Sequence, residues 1–141
     1  MNIQGKNVVI TGAAGGLGSG VTKVFIEAGA DVAAVYHTKE DFEKLKDDLG
    51  NPQNLSGFQA DLTSETDVLD LLKKTADKFG TIDALVNLVG GFTGGNKTVD
   101  TPLEDLDKMI AMNLSTAFIV CKTFLGQFID QKSGRIVNIG A

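Results

Sequence analysis

Apolar and polar positions along this chain switch repeatedly between a strand period and a helix period. Asn7 to Thr11 carries the β-branched run Val8-Val9-Ile10-Thr11 and predicts a first strand, which stops at a glycine-rich turn. Leu17, Val21, Val24, Phe25 and Ala28 then recur at helical spacing. They predict a helix with one apolar stripe against a sheet, closed by Gly29. Asp31 to Tyr36 is nearly all apolar, as a strand covered on both faces is. Lys39 to Leu49 predicts a charged helix with Phe42, Leu45 and Leu49 inward, broken by Gly50-Asn51-Pro52. Ser56 to Ala60 reads as a short third strand. Ser64 then predicts an N-cap for a helix whose inner stripe is Val68, Leu72, Ala76 and Phe79, ended by Gly80. Ile82 to Asn87 is the fourth strand, Leu103 to Gln131 a long helical region opened by Pro102, and Arg135 to Ile139 the fifth strand.

Strands alternating with helices imply parallel βαβ units joined by right-handed crossovers. The expected architecture is a doubly wound α/β sheet in the order 3-2-1-4-5, with residues 1–141 as one domain. Its switch point falls between strands 1 and 4, where open α/β sheets bind ligands at the carboxyl ends of their strands. That edge gathers the turn Gly12-Ala13-Ala14-Gly15-Gly16-Leu17-Gly18, the segment Asn87-Leu88-Val89-Gly90, and Gly140-Ala141.

Composition narrows the function classes. The chain has 13 Lys and Arg against 18 Asp and Glu, a net charge of −5. No basic run exists to follow a nucleic-acid backbone, so a nucleic-acid partner is not expected. The single cysteine, Cys121, lies in an apolar stretch and reads as a small core residue. It forms no internal disulfide, which fits a reducing, cytoplasmic compartment. The first residues do not read as a signal peptide, and no uninterrupted apolar run approaches the ~18 residues of a membrane span. No metal-ligand cluster is expected.

The turn after the first strand is the main chemical signal. A strand that ends in glycines and opens a helix leaves backbone N–H groups free for a phosphate. The small residues Ala13 and Ala14 let a ligand come close. The spacing is Thr-Gly-x-x-x-Gly-x-Gly at positions 11, 12, 16 and 18, and no Gly-Lys-Ser/Thr follows, so it is not a P-loop. Asp61 suits either a ligand contact or a plain turn ahead of the Ser64-capped helix. Asn113 interrupts an apolar helix and suits either a kink or a functional site.

Five segments in order make the chain resemble the N-terminal part of a short-chain dehydrogenase/reductase. They are Thr11 to Gly18, Asp61-Leu62-Thr63, Leu85 to Gly90, Met112-Asn113-Leu114, and Gly134 to Gly140. The resemblance implies a Rossmann-type fold binding NAD(P)(H). It implies that Gly12, Ala14, Gly16, Leu17 and Gly18 cradle the pyrophosphate, and that Asp61 and Leu62 hold the adenine. Asn87, Leu88, Val89 and Gly90 would line the ribose and nicotinamide side, and Asn113 would hold a water in a proton relay. A homo-dimer or tetramer through the Leu103–Gln131 helix is implied as well, with a small carbonyl compound as substrate.

Cofactor choice turns on the end of the second strand. An acidic residue there favours NAD by bonding the ribose 2′-hydroxyl. This chain has Tyr36-His37-Thr38-Lys39 instead. His37 and Lys39 suit a 2′-phosphate, so NADP(H) is favoured and NAD(H) stays open.

Two departures from the family pattern stand out. Ala141 occupies the place of the family's serine, and the only tyrosine is Tyr36, so no Tyr-x-x-x-Lys pair occurs. The expectation is a chain truncated on its C-terminal side that binds cofactor and does not turn over alone. The Gly90–Asn96 loop with Gly140-Ala141 locally resembles the dihydropteridine-reductase branch, which raises a pterin as an alternative substrate. A non-catalytic dinucleotide sensor is a second alternative. A methyltransferase sharing only the glycine turn is a third.

Overall fold

A computed structural model describes residues 2–139 of the chain. Gly140 and Ala141, and with them the expectation placed on the family's serine position, lie outside the described residues. Five parallel strands form one sheet in the order β3-β2-β1-β4-β5, as the alternation requires. They are β1 (Asn7–Thr11), β2 (Asp31–Tyr36), β3 (Leu55–Gln59), β4 (Ala84–Asn87) and β5 (Arg135–Asn138). In register, Ile10 faces Ala34 on one side and Val86 on the other. β1 is therefore central, and its C-terminal end opens at the switch point.

Strand alternation divides the core in two. Val8, Ile10, Val32 and Ala34 face α1 (Gly16–Glu27) and α2 (Lys39–Asp48), packing with Phe42 and Leu45. Val9, Val35 and Leu85 face α3 (Glu65–Phe79) and α5 (Thr116–Asp130), packing with Val68, Leu71, Val120 and Phe124. Ser64 caps α3 as expected: its hydroxyl accepts from the Asp67 amide at 3.3 Å and donates to the Asp67 carboxylate at 3.0 Å.

Two helix faces differ from the sequence expectation. In α1 the buried residues are Gly18 and Thr22, while Leu17 and Val24 are 57% and 61% exposed. Close approach decides this. α1 rests its smallest residue on the glycine turn, and Thr22 Oγ1 donates to the Ala13 carbonyl at 3.3 Å. In α3 the deepest positions are Val68, Leu71 and Thr75. Thr75 can be buried because its hydroxyl bonds the carbonyls of Leu71 and Leu72.

The region after β4 also departs from one regular helix. A 3₁₀ turn (Thr98–Asp100) precedes α4 (Leu103–Met109), a π-helical segment (Ile110–Ser115) and α5. Together Leu103–Asp130 make a helix of 28 residues, long and apolar enough by length and composition to cross a membrane, although polar residues interrupt its apolar run. Its inner face packs as a core helix, with Val120, Phe124 and Phe128 buried against the sheet and α3. Phe118, by contrast, is exposed. Cys121 is half-buried rather than in the core, and its thiol donates to Asn138 Oδ1 at 3.3 Å.

At the opposite edge of the sheet, Asp83 ties β1 to β4. It accepts from Lys6 Nζ at 2.9 Å and from the Asn7 amide at 2.9 Å. Partial burial pushes its carboxyl up, and these two hydrogen bonds with the Lys6 and Arg135 charges outweigh that and leave it below the usual range.

Candidate dinucleotide site

The site is built around the turn that follows β1. Gly12 has φ of +64°, and a Cβ there would lie 3.2–3.3 Å from Val89 Cγ2, the Leu88 carbonyl carbon and the Val89 nitrogen. Only glycine accepts both the conformation and the approach. The turn then closes through Gly15 N–H to the Gly12 carbonyl at 3.0 Å. Gly15 stands at the N-cap of α1 with no side-chain cap, and the first turn holds no acidic residue. The amides of Gly16, Leu17 and Gly18 are thus the uncapped, electropositive end of the helix. No side chain blocks Gly16, where a Cβ would meet nothing within 4 Å.

Beside the turn lies a cleft of about 810 Å³. Gly12, Ala14 and Gly15 form one wall, and Tyr36, His37 and Asp41 another. Asp61, Leu62, Val89 and Gly90 close it, with Lys108, Met112 and Thr116 on the helical side. Of the residues named from sequence, Gly12, Ala14, Tyr36, His37, Asp61, Leu62, Val89 and Gly90 therefore line one cavity. Gly16 borders an adjoining cleft of about 400 Å³. Leu17 is exposed, and Gly18 is buried beneath the turn.

Asn87 and Leu88 act behind the cleft wall. Asn87 Oδ1 accepts from Thr11 Oγ1 at 2.6 Å, and the Leu88 amide donates to the same hydroxyl at 3.2 Å. Both Thr11 and Asn87 are buried. This pair fastens the end of β4 to the end of β1 and sets the position of Val89 against Gly12. Asn87 Nδ2 reaches on to Asn138 Oδ1 at 3.3 Å.

Asp61 is both a turn residue and a cleft residue. Its Oδ1 accepts from the Thr63 hydroxyl at 2.7 Å and the Thr63 amide at 2.9 Å, an Asx turn. The hydroxyl and amide bonds lower its pKa below the usual carboxylate value, with a smaller contribution from His37. Tyr36 stacks on Phe42 at 4.9 Å, which fixes the end of β2. Gln59 Nε2 donates to the His37 carbonyl at 2.9 Å from the neighbouring strand.

Asn113 sits in the π-helical segment. Its Nδ2 donates to the Gly91 carbonyl at 2.9 Å and the Met109 carbonyl at 3.0 Å, and its Oδ1 accepts from the Gly91 amide at 3.0 Å. The side chain clamps the glycine loop to the helix and draws on a carbonyl four residues back. The polar insertion thus coincides with a π-helical segment and ties it to the Gly91 backbone.

Asp41 also lines the cleft, from the first turn of α2 rather than the end of β2, and was not among the residues expected from sequence. The available signal was Thr38-x-x-Asp41, a capping pattern. Thr38 Oγ1 donates to the Asp41 carboxylate.

The short chain dehydrogenase family pattern matches residues 6–141. The chain belongs to the short-chain dehydrogenase family. It is 34% identical over 142 residues to the 3-oxoacyl-acyl-carrier-protein reductase FabG of Thermotoga maritima, covering all of this chain and 57% of that protein. Two solved structures superpose closely. ElxO with NADP bound gives a TM-score of 0.92 at 29% identity, over 98% of this chain and 56% of that one. An NAD+-bound xylitol dehydrogenase gives 0.92 at 29% identity, over 98% and 54%. The chain thus spans little more than half the length of these relatives. Of these two structural neighbours, one holds NADP and the other NAD+. These relatives are a FabG-type reductase and other members of the family; the pterin-branch resemblance rests on the Gly90–Asn96 loop with Gly140-Ala141.

Proposed function

We propose that this chain is the dinucleotide-holding part of an oxidoreductase that moves hydride between a nicotinamide and a carbonyl-type small molecule. The observation that carries this reading is that Gly12, Ala14 and Gly15, the turn leading into an uncapped helix start, line the same cleft as Asp61. The pyrophosphate meets free amides at the helix start, where the dipole favours negative charge. The Asp61–Leu62 turn meets the adenine, and Val89 and Gly90 guide the nicotinamide end. When bound, the nicotinamide supplies or takes the hydride; the protein orients it. Asn113 acts as a positioning residue by holding Gly91, with a relay water as the further role the family pattern suggests.

Thermal unfolding with NADH, NADPH and S-adenosylmethionine tests this. Either nicotinamide dinucleotide is expected to raise the melting temperature, since a ligand at ~100 times its dissociation constant adds about 2.7 kcal/mol to the folded state. Stabilisation by S-adenosylmethionine alone overturns the reading. A binding module without turnover is the second reading for the 141 residues on their own. Their one tyrosine, Tyr36, lies at the end of β2 and stacks on Phe42.

Self-association through the Leu103–Asp130 helix is the proposed assembly. Leu103, Leu106, Ile110, Leu114, Phe118, Leu125 and Ile129 are all at least 43% exposed along it. A contiguous apolar patch of this kind is normally covered. Light scattering is expected to give a dimer or tetramer, and a monomer at high concentration overturns the assignment.

A further inference from the structure

The glycine loop after β4 is held to the helix by side chains. Among the described residues, 90–96 make no backbone–backbone hydrogen bond. Asn113 clamps Gly91, and two methionines complete the attachment. Met109 Sδ accepts from the Thr93 amide at 3.2 Å and lies 3.9 Å from Asn113 Nδ2. Met112 Sδ packs on Gly91 and fills the space that a Cβ there would need. The two sulfurs differ in setting, although both residues are half-buried. Met112 lines the dinucleotide cleft, and among the described residues its sulfur accepts no hydrogen bond. Met109 does not line that cleft, and its sulfur is engaged by the loop. Ile110 and Leu114 flank Met112 in sequence and belong to the exposed apolar stripe, whereas Met112 faces the cleft.

We propose that Met112 is a modification site: a hydroperoxide entering the empty cleft oxidises its thioether to the sulfoxide, which frees the Gly91–Thr93 loop, and a bound dinucleotide shields it. The shielding rests on the dinucleotide reading above. The sulfur attacks the peroxide, the O–O bond breaks and an S–O bond forms. Sulfur loses two electrons, the peroxide is reduced to water or an alcohol, and the proton of the transferred oxygen passes to the departing one. The product is polar, chiral and bulkier than the thioether, and it is reversible by methionine sulfoxide reductases. Turned toward the loop, the new oxygen collides with Gly91, against which the sulfur already packs. Turned the other way, it stands in the cleft that Met112 lines. Either arrangement weakens binding at the Val89–Gly90 side of the cleft and leaves the Asp61 side intact. Shielding and weakening are the two directions of one coupling between cofactor and modification.

The test treats the chain, Met112→Leu and Met109→Leu with dilute hydrogen peroxide, with and without excess NAD+ or NADP+. All carry Cys121→Ser so that thiol oxidation does not enter. Peptide mass spectrometry reads oxidation at each methionine, calorimetry reads affinity for NAD+, NADP+ and 5′-AMP, and hydrogen exchange reads the Gly91 and Thr93 amides. Met112 is expected to oxidise at least about fivefold faster than Met109, and a dinucleotide to slow it by a similar factor. Treatment is expected to weaken dinucleotide binding by about fivefold or more, to leave 5′-AMP binding within about twofold, and to speed exchange of both amides. Methionine sulfoxide reductase restores the untreated values. Treated Met112→Leu keeps its own untreated affinity, and Met109→Leu still responds. Faster oxidation of Met109, loop amides unchanged by treatment, or a treated Met112→Leu that loses affinity as its parent does each overturn the assignment. If the untreated chain binds neither dinucleotide, the dinucleotide reading fails, and site selectivity with loop exchange alone decides for or against Met112.

Discussion

Gly18→Ala is expected to unfold or severely destabilise the protein and to remove its dinucleotide affinity. A Cβ at position 18 would lie 1.9 Å from the Gly12 carbonyl oxygen, 2.8 Å from the Gly12 carbonyl carbon and 2.9 Å from the Ala13 carbonyl carbon. All three are backbone atoms, so no side-chain rotation relieves the clash. Either α1 lifts off the sheet or the turn opens. Lifting α1 breaks the Thr22 bond to Ala13, and opening the turn moves Gly12 away from Leu88 and Val89. Overpacking in a core costs about 1–3 kcal/mol, and a backbone-on-backbone clash belongs at or above the top of that range. A domain of this kind holds only ~5–15 kcal/mol in total. Gly16→Ala is the matched control, because nothing lies within 4 Å of a Cβ there. It is expected to be neutral or to gain up to ~1 kcal/mol from helix propensity. Urea denaturation checks both: the midpoint falls sharply for Gly18→Ala and holds or rises for Gly16→Ala. Equal midpoints would mean that α1 is not seated on the turn.

That contrast also shows what the sequence carries and what it hides. Strand order was legible because β-branched runs and glycine turns are local signals, and the crossover rule leaves few topologies. The edge that carries the cleft followed from the order alone. The buried face of α1 was legible only in part: Val21 and Phe25 of the apolar stripe do pack on the core. Hydrophobic periodicity credits Leu17 and Val24, but close approach selects Gly18 and Thr22, which carry little or no apolar weight. Thr75 in α3 escaped for the same reason, its hydroxyl being satisfied within its own helix. Cys121 was misplaced because its neighbours along the chain are apolar, yet on a helix they point elsewhere. Asn113 was legible as an anomaly, but its partner Gly91 is 22 residues away in sequence.

Replacing Asn113 probes that partnership most sharply when the shape is kept. Asn113→Asp preserves the outline and the acceptor for the Gly91 amide. It replaces the group that donates to the Gly91 and Met109 carbonyls with an oxygen. An ionised aspartate would then face two carbonyl oxygens, which raises its pKa above the usual ~3.9. The sign follows from that shift. A carboxyl raised in the folded state favours folding below its unfolded pKa, and that advantage is lost as pH rises through the folded value. Asn113→Asp is therefore expected to lie closest to wild type near pH 4 and to fall away toward pH 8. Asn113→Ala loses three hydrogen bonds at once, about 1 kcal/mol each before relaxation, with no added pH dependence from position 113. In both variants the Gly91 amide should exchange with solvent faster, because its acceptor is Asn113 Oδ1. Affinity for 5′-AMP should stay within about threefold of wild type, since Asp61 and His37 do not depend on the clamp. Hydrogen exchange and denaturation at pH 4 and pH 8 check the set. A Gly91 amide equally protected in wild type and Asn113→Ala would show that the loop is held by something else. Loss of 5′-AMP binding in step with the clamp would show that Asn113 supports the whole cleft.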